Sequence, residues 1–129
     1  MIEMEEGILT EEKKPGLIRK AIDTFIMPRG FKRIKANIDP YDTPARLNRD
    51  KDEEAFIPDA TGYLNGRKSY FELILKTDRV RPLVTKLKLL SKLAGYRRGK
   101  LYLIVPNGHY AFTNRILDKY PVKAKILRM

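Results

Sequence analysis

The chain has 129 residues, 27 Lys and Arg against 16 Asp and Glu, and neither Cys nor Trp. That length fits one domain with a single core. The lack of cysteine excludes a disulfide framework, a thiolate metal site and a Cys nucleophile, and a lone histidine, His109, excludes a His-cluster metal site.

No apolar run approaches the roughly 20 residues of a membrane span. The acidic opening MIEMEEGILTEE is not a signal peptide. These features predict a cytoplasmic protein. Residues 1–12 hold five acids and no base and read as a flexible acidic tail, leaving 13–129 as one domain. Leu17, Ile18, Ala21, Ile22, Phe25 and Ile26 recur at helical spacing and predict an amphipathic helix over 14–27. Pro15 suits its first turn, and Pro28 with Gly30 ends it. Phe31–Ile38 alternates weakly, as a strand does. The polar stretch Asp39–Glu54, with two prolines and no periodicity, predicts a long loop. Its acids lack EF-hand spacing and read as solvated rather than as a Ca²⁺ site. A hairpin follows, with arms Ala55–Leu64 and Arg67–Thr77 around Asn65-Gly66, whose residues tolerate the positive φ that a tight hairpin turn needs.

Residues 79–94 predict the second helix, with Val80, Leu83, Val84, Leu87, Leu90 and Ala94 on one stripe and Gly95 as its cap. Arg81, Lys88 and Lys92 form a basic stripe, with Arg79 and Lys86 on the other flank. Leu89 and Leu93 fall off the apolar stripe and suggest a homodimer contact. The run Lys100–Pro106 has the look of a strand buried on both faces. Tyr110–Lys119 reads as a third helix and Val122–Leu127 as a last strand. The expected fold is therefore α/β, a mixed sheet flanked by helices in the order α-β-β-β-α-β-α-β. Residues 79–129 hold 13 bases and one acid, Asp118. Such a pile-up attracts polyanions, nucleic acid first among them, and Arg79, Arg81, Lys88, Lys92, Arg97 and Arg98 are the expected phosphate contacts. Tyr96 and Tyr102 flank the Arg97–Lys100 cluster; packing is the expected role of Tyr102. A lone His109 in a Pro-Asn-Gly loop is expected to be an incidental surface residue.

One place brings carboxylates onto paired strands. With Asn65-Gly66 as the turn, Leu64 opposes Arg67 and Asp59 opposes Glu72. Two carboxylates directly opposed on one face repel. Their proximity needs a cation such as Mg²⁺, a lysine, a shared proton, or a slipped register. No glycine-rich phosphate loop is present, so P-loop nucleotide hydrolysis is unsupported.

The run IPDATGYLNGRKSYFELILKTD places Pro58-Asp59 ahead of Glu72-Leu73-Ile74, with a basic helix and KLYLIVP behind it. It resembles the PD-(D/E)xK nuclease superfamily, the restriction-endonuclease-like fold, over roughly residues 15–127. The resemblance implies that Asp59 and Glu72 hold Mg²⁺, with Mn²⁺ as a substitute, for hydrolysis of phosphodiester bonds in nucleic acid, DNA by preference. It also implies a catalytic lysine two residues after the Glu, where this chain has Ile74. Lys76, on the same strand face, or Lys86, from the following helix, would have to supply that ammonium. The alternative is a non-catalytic nucleic-acid- or protein-binding module that keeps the fold.

Overall fold

A computed structural model describes residues 13–48 and 55–129. The acidic segment 1–12 and part of the predicted loop, 49–54, lie outside the described residues. Helix α1 (Lys14–Ala21) has a proline in its first turn and passes directly into one π-helical stretch, Ile22–Ile26. The wider π turn closes with the Met27 N–H on the Ile22 carbonyl, and Ile18, Ala21, Ile22 and Ile26 are all buried. The strands are β1 (Lys32–Ala36), β2 (Leu47–Asn48), β3 (Ala55–Phe56), β4 (Ala60–Leu64) and β5 (Arg67–Leu73). Helix α2 (Val80–Tyr96), β6 (Arg98–Val105), α3 (Tyr110–Lys119) and β7 (Lys125–Arg128) complete the chain.

The protein is α/β, with five strands in one mixed sheet ordered β1-β4-β5-β6-β7. The β1–β4 and β4–β5 pairs are antiparallel, whereas β5–β6 and β6–β7 are parallel. Asn65 and Gly66 turn the β4–β5 hairpin, both with positive φ as a two-residue turn of this kind requires. Alternation in the strands then divides the core between the two faces. Phe71, Leu73 and Ile104 pack under α1, where Phe71 stacks on Tyr102 and meets Phe31 edge to face. Tyr70, Ile74, Leu101, Leu103 and Val105 pack under α2 and α3.

Three local expectations change. The stretch 39–54 is not all loop, because Leu47 pairs with Phe56 and Asn48 with Ala55 in a small separate ribbon. Leu47 packs against the α2-side core, an apolar anchor in an otherwise polar run. Gly95 does not cap α2, which continues to Tyr96 with Arg97 as the cap. Both hairpin arms are shorter than expected: Ala55–Leu64 splits into β3, which pairs with β2, and β4, so that five strands rather than three precede α2, and Arg67–Thr77 stays in the sheet only to Leu73. Among the described residues, no helix is long and apolar enough to cross a membrane.

Candidate active site

The β4–β5 register runs unbroken from Leu64↔Arg67 to Ala60↔Phe71, which brings Asp59 beside Glu72 one step further along. Both side chains are buried, each residue 3% exposed. The backbone N–H of Asp59 donates to Glu72 Oε1 at 3.1 Å, and that of Leu73 donates to Asp59 Oδ2 at 2.8 Å. The two remaining oxygens meet ammonium groups from different helices. Lys14 Nζ of α1 lies 3.2 Å from Asp59 Oδ1, and Lys86 Nζ of α2 lies 2.5 Å from Glu72 Oε2. Lys86 also donates to the Ile57 carbonyl at 3.1 Å, just upstream of Pro58-Asp59. Two opposed carboxylates are thus held together by lysines, one of the ways their repulsion can be offset.

The balance at this pair is not complete. Burial, and next the Asp59 carboxylate, push the Glu72 carboxyl up to about 7; the Lys86 and Lys14 charges pull the other way. A buried acid poised near neutrality beside a lysine in this way makes the pair a candidate functional site. Among the described residues no group of three or more His, Asp or Glu is placed to hold a metal ion. A Mg²⁺ ion commonly takes one or two carboxylates and completes its shell with water and phosphate oxygens. The donor set of Asp59 and Glu72 fits that pattern, and an incoming divalent charge would compete with the two ammonium groups for it.

The expected lysines part company here. Lys86 is brought to the pair, whereas no hydrogen bond or ion pair joins Lys76 to Asp59 or Glu72. Lys76 is exposed and lines a separate open cleft of about 590 Å³, with Asp78, Phe112, Arg115 and Lys119 also on its wall. Ile74, at the position where the resemblance would put a lysine, is a core residue 1% exposed. Lys14 was not foreseen, since it carries no signal beyond its place at a helix start. His109 is a correction of a different kind. It is buried rather than superficial, and its Nδ1 accepts the Lys76 backbone N–H at 2.7 Å. Burial, followed by the nearby Lys76 charge, holds its pKa below the usual histidine value, so as a neutral ring it pins the segment that follows β5.

The six expected phosphate contacts are all exposed. Arg81, Lys88 and Lys92 lie at least about 120° around α2 from Lys86, at about 100° per residue. The rotation that brings Lys86 to Glu72 therefore turns that stripe away from the carboxylates. Arg97 and Arg98 sit where α2 meets β6, at the opposite end of β5 from Glu72, because Lys68 pairs with Arg98. Leu93 packs partly against the α2-side core, and Leu89 is half-buried outside it. No protein-family model, no curated protein and no solved structure matches this chain.

Proposed function

We propose that this protein binds nucleic acid and hydrolyses its phosphodiester bonds with Mg²⁺, as a PD-(D/E)xK-like nuclease whose lysine has moved from the strand to the helix. The observation that carries the reading is the contact of Lys86 with Glu72 beside Asp59. Those three groups are the acid, acid and ammonium that this chemistry needs, with Ile74 explained as a core residue. The order of helix, antiparallel strands, crossover helix and parallel strand also agrees with a restriction-endonuclease-like sheet.

In this reading Asp59 and Glu72 hold the metal, which supplies Lewis-acid activation of the phosphate and of water when bound. Lys86 orients the attacking water or meets the charge that develops on the phosphoryl oxygens, a task for a fixed ammonium in a buried site. The exposed residues Arg79, Arg81, Lys88, Lys92, Arg97 and Arg98 supply the sequence-independent attraction for the backbone.

A second reading has its own observation. All four carboxylate oxygens already have donors, two of them lysines, so the pair also suits a binding module that does not cut. Cleavage of a mixed panel of duplex, branched and single-stranded DNA and RNA with Mg²⁺ or Mn²⁺ decides between them. Asp59→Ala, Glu72→Ala and Lys86→Met should each reduce cleavage by at least about a hundredfold, the usual scale for losing an electrostatic catalytic group. A wild type that cuts nothing, or variants that cut as well as it does, leaves the binding module.

A further inference from the structure

A second cationic site lies on the same sheet face as the carboxylates, at the hairpin end. Thr61 and Tyr63 of β4 point to one face, and Asp59, just before the strand, continues that alternation, so Tyr63 stands four residues, or about 13 Å, from Asp59. Two guanidinium groups converge on its ring. Arg33 lies 5.6 Å and Arg97 5.9 Å from the centroid, and Arg97 also donates to the Tyr63 hydroxyl at 3.1 Å. Neither makes an ion pair with a carboxylate of the described residues.

The backbone builds this cluster in a way that alternation alone cannot. Lys32 pairs with Tyr63 and Lys35 with Thr61, an irregular register with one extra residue in β1. Residues three apart on a regular strand point to opposite faces, but the bulge puts both lysines on the Tyr63 face. Arg33 lies within it at φ 52°, an unusual conformation for a side-chain-bearing residue. Across the hairpin Lys68 pairs with Tyr63 and lies 5.3 Å from the Tyr70 ring. Two arginines on one ring repel each other, and a shared anion is what relieves that repulsion. Guanidinium forks match a phosphate with paired N–H donors, while the ring holds both in place.

We propose that Arg33, Tyr63 and Arg97 form a phosphate clamp that grips the nucleic-acid backbone about 13 Å from the Asp59–Glu72 pair, or roughly four nucleotides at 3.4 Å per step. The inference rests on the nucleic-acid reading above and adds an orientation, with the bound strand running from the hairpin end towards the carboxylates.

The test is binding of a labelled duplex of roughly 16 base pairs, as DNA and as RNA, titrated between about 50 and 200 mM salt. Arg33→Ala/Arg97→Ala should weaken binding about tenfold or more and lower the log–log salt slope by about one, for the one phosphate that the two share. Arg33→Lys/Arg97→Lys should restore the slope and only part of the affinity, since it returns charge without the fork. The control Lys20→Ala/Lys125→Ala removes the same charge from exposed positions on the α1 side of the sheet and should change affinity less. If the arginine pair and this control lose affinity equally, or the arginine pair binds like wild type, the clamp is wrong while nucleic-acid binding stands. A wild type that binds neither duplex, or binds with a flat slope, overturns both.

Discussion

Glu72 and His109 titrate in opposite senses, and the stability of the fold should follow both. The folded-state pKa of Glu72, about 7, lies above its ordinary 4.5. Its contribution is therefore complete below about 4.5 and is lost as pH rises through about 7, a decline on the order of 3 kcal/mol. Glu72→Gln removes the charge that burial and Asp59 oppose. It should raise Tm relative to wild type at pH 8 and leave it nearly unchanged at pH 5, as measured by thermal melts across that range. An equal shift at both values would mean that Glu72 is not the group that titrates. His109 has a folded pKa below the usual value, so its contribution is present above the ordinary pKa and is lost as pH falls. Protonation of Nδ1 removes the acceptor for the Lys76 N–H, and His109→Gln should flatten this acid limb. At this scale the sequence is legible only where pairing arithmetic reaches. The turn at Asn65-Gly66 carries the Asp59–Glu72 juxtaposition. Lys14, Lys86 and His109 depend on which way helices and loops face, which no spacing encodes.

Elements were more legible than contacts. The period of α2, the turn of the Asn-Gly hairpin and the apolar run of β6 all follow from local patterns, and the structure has α2 and β6 close to their predicted spans and the turn where it was expected, with both hairpin arms shorter. The bulge in β1 and the Leu47–Phe56 ribbon are set by partner strands far along the chain, and local alternation misses them. One glycine matters between elements in the same way. A Cβ on Gly99 would fall 1.8 Å from the Lys68 carbonyl oxygen and 2.5 Å from its carbon, where the β5–β6 register is also irregular. Backbone atoms of a paired strand cannot move aside cheaply. Gly99→Ala should therefore destabilise by about 3 kcal/mol and lower Tm by about 10 °C. By contrast Gly95, on the exposed face of α2 with open space around its Cα, should accept alanine and gain from its helix propensity. Melting both variants separates the two glycines, and equal shifts would place the β5–β6 approach wider than described.

On the scale of the whole molecule, the charge is best understood as two populations with different jobs. Residues 79–129 carry 13 bases against one acid, yet their largest stripe, Arg81, Lys88 and Lys92, faces away from the carboxylate pair. Charges that never touch the bound backbone still raise the local concentration of a polyanion, and they do so through a field that salt screens over about 8 Å at physiological ionic strength. Groups that grip a phosphate directly instead set how long the complex lasts. The proposed function then predicts a kinetic division between the two sets. Arg81→Ala/Lys88→Ala/Lys92→Ala should lower the association rate of a labelled duplex about tenfold at low salt and leave its dissociation rate nearly unchanged. Arg33→Ala/Arg97→Ala should do the reverse, with dissociation faster and association little altered. Stopped-flow anisotropy reads both rates in one experiment, and raising the salt should erase the first effect before the second. A triple variant that dissociates faster at an unchanged association rate would put the helix stripe in direct contact with the backbone. The nucleic acid would then lie along the basic stripe of α2 rather than on the line from Tyr63 to the Asp59–Glu72 pair.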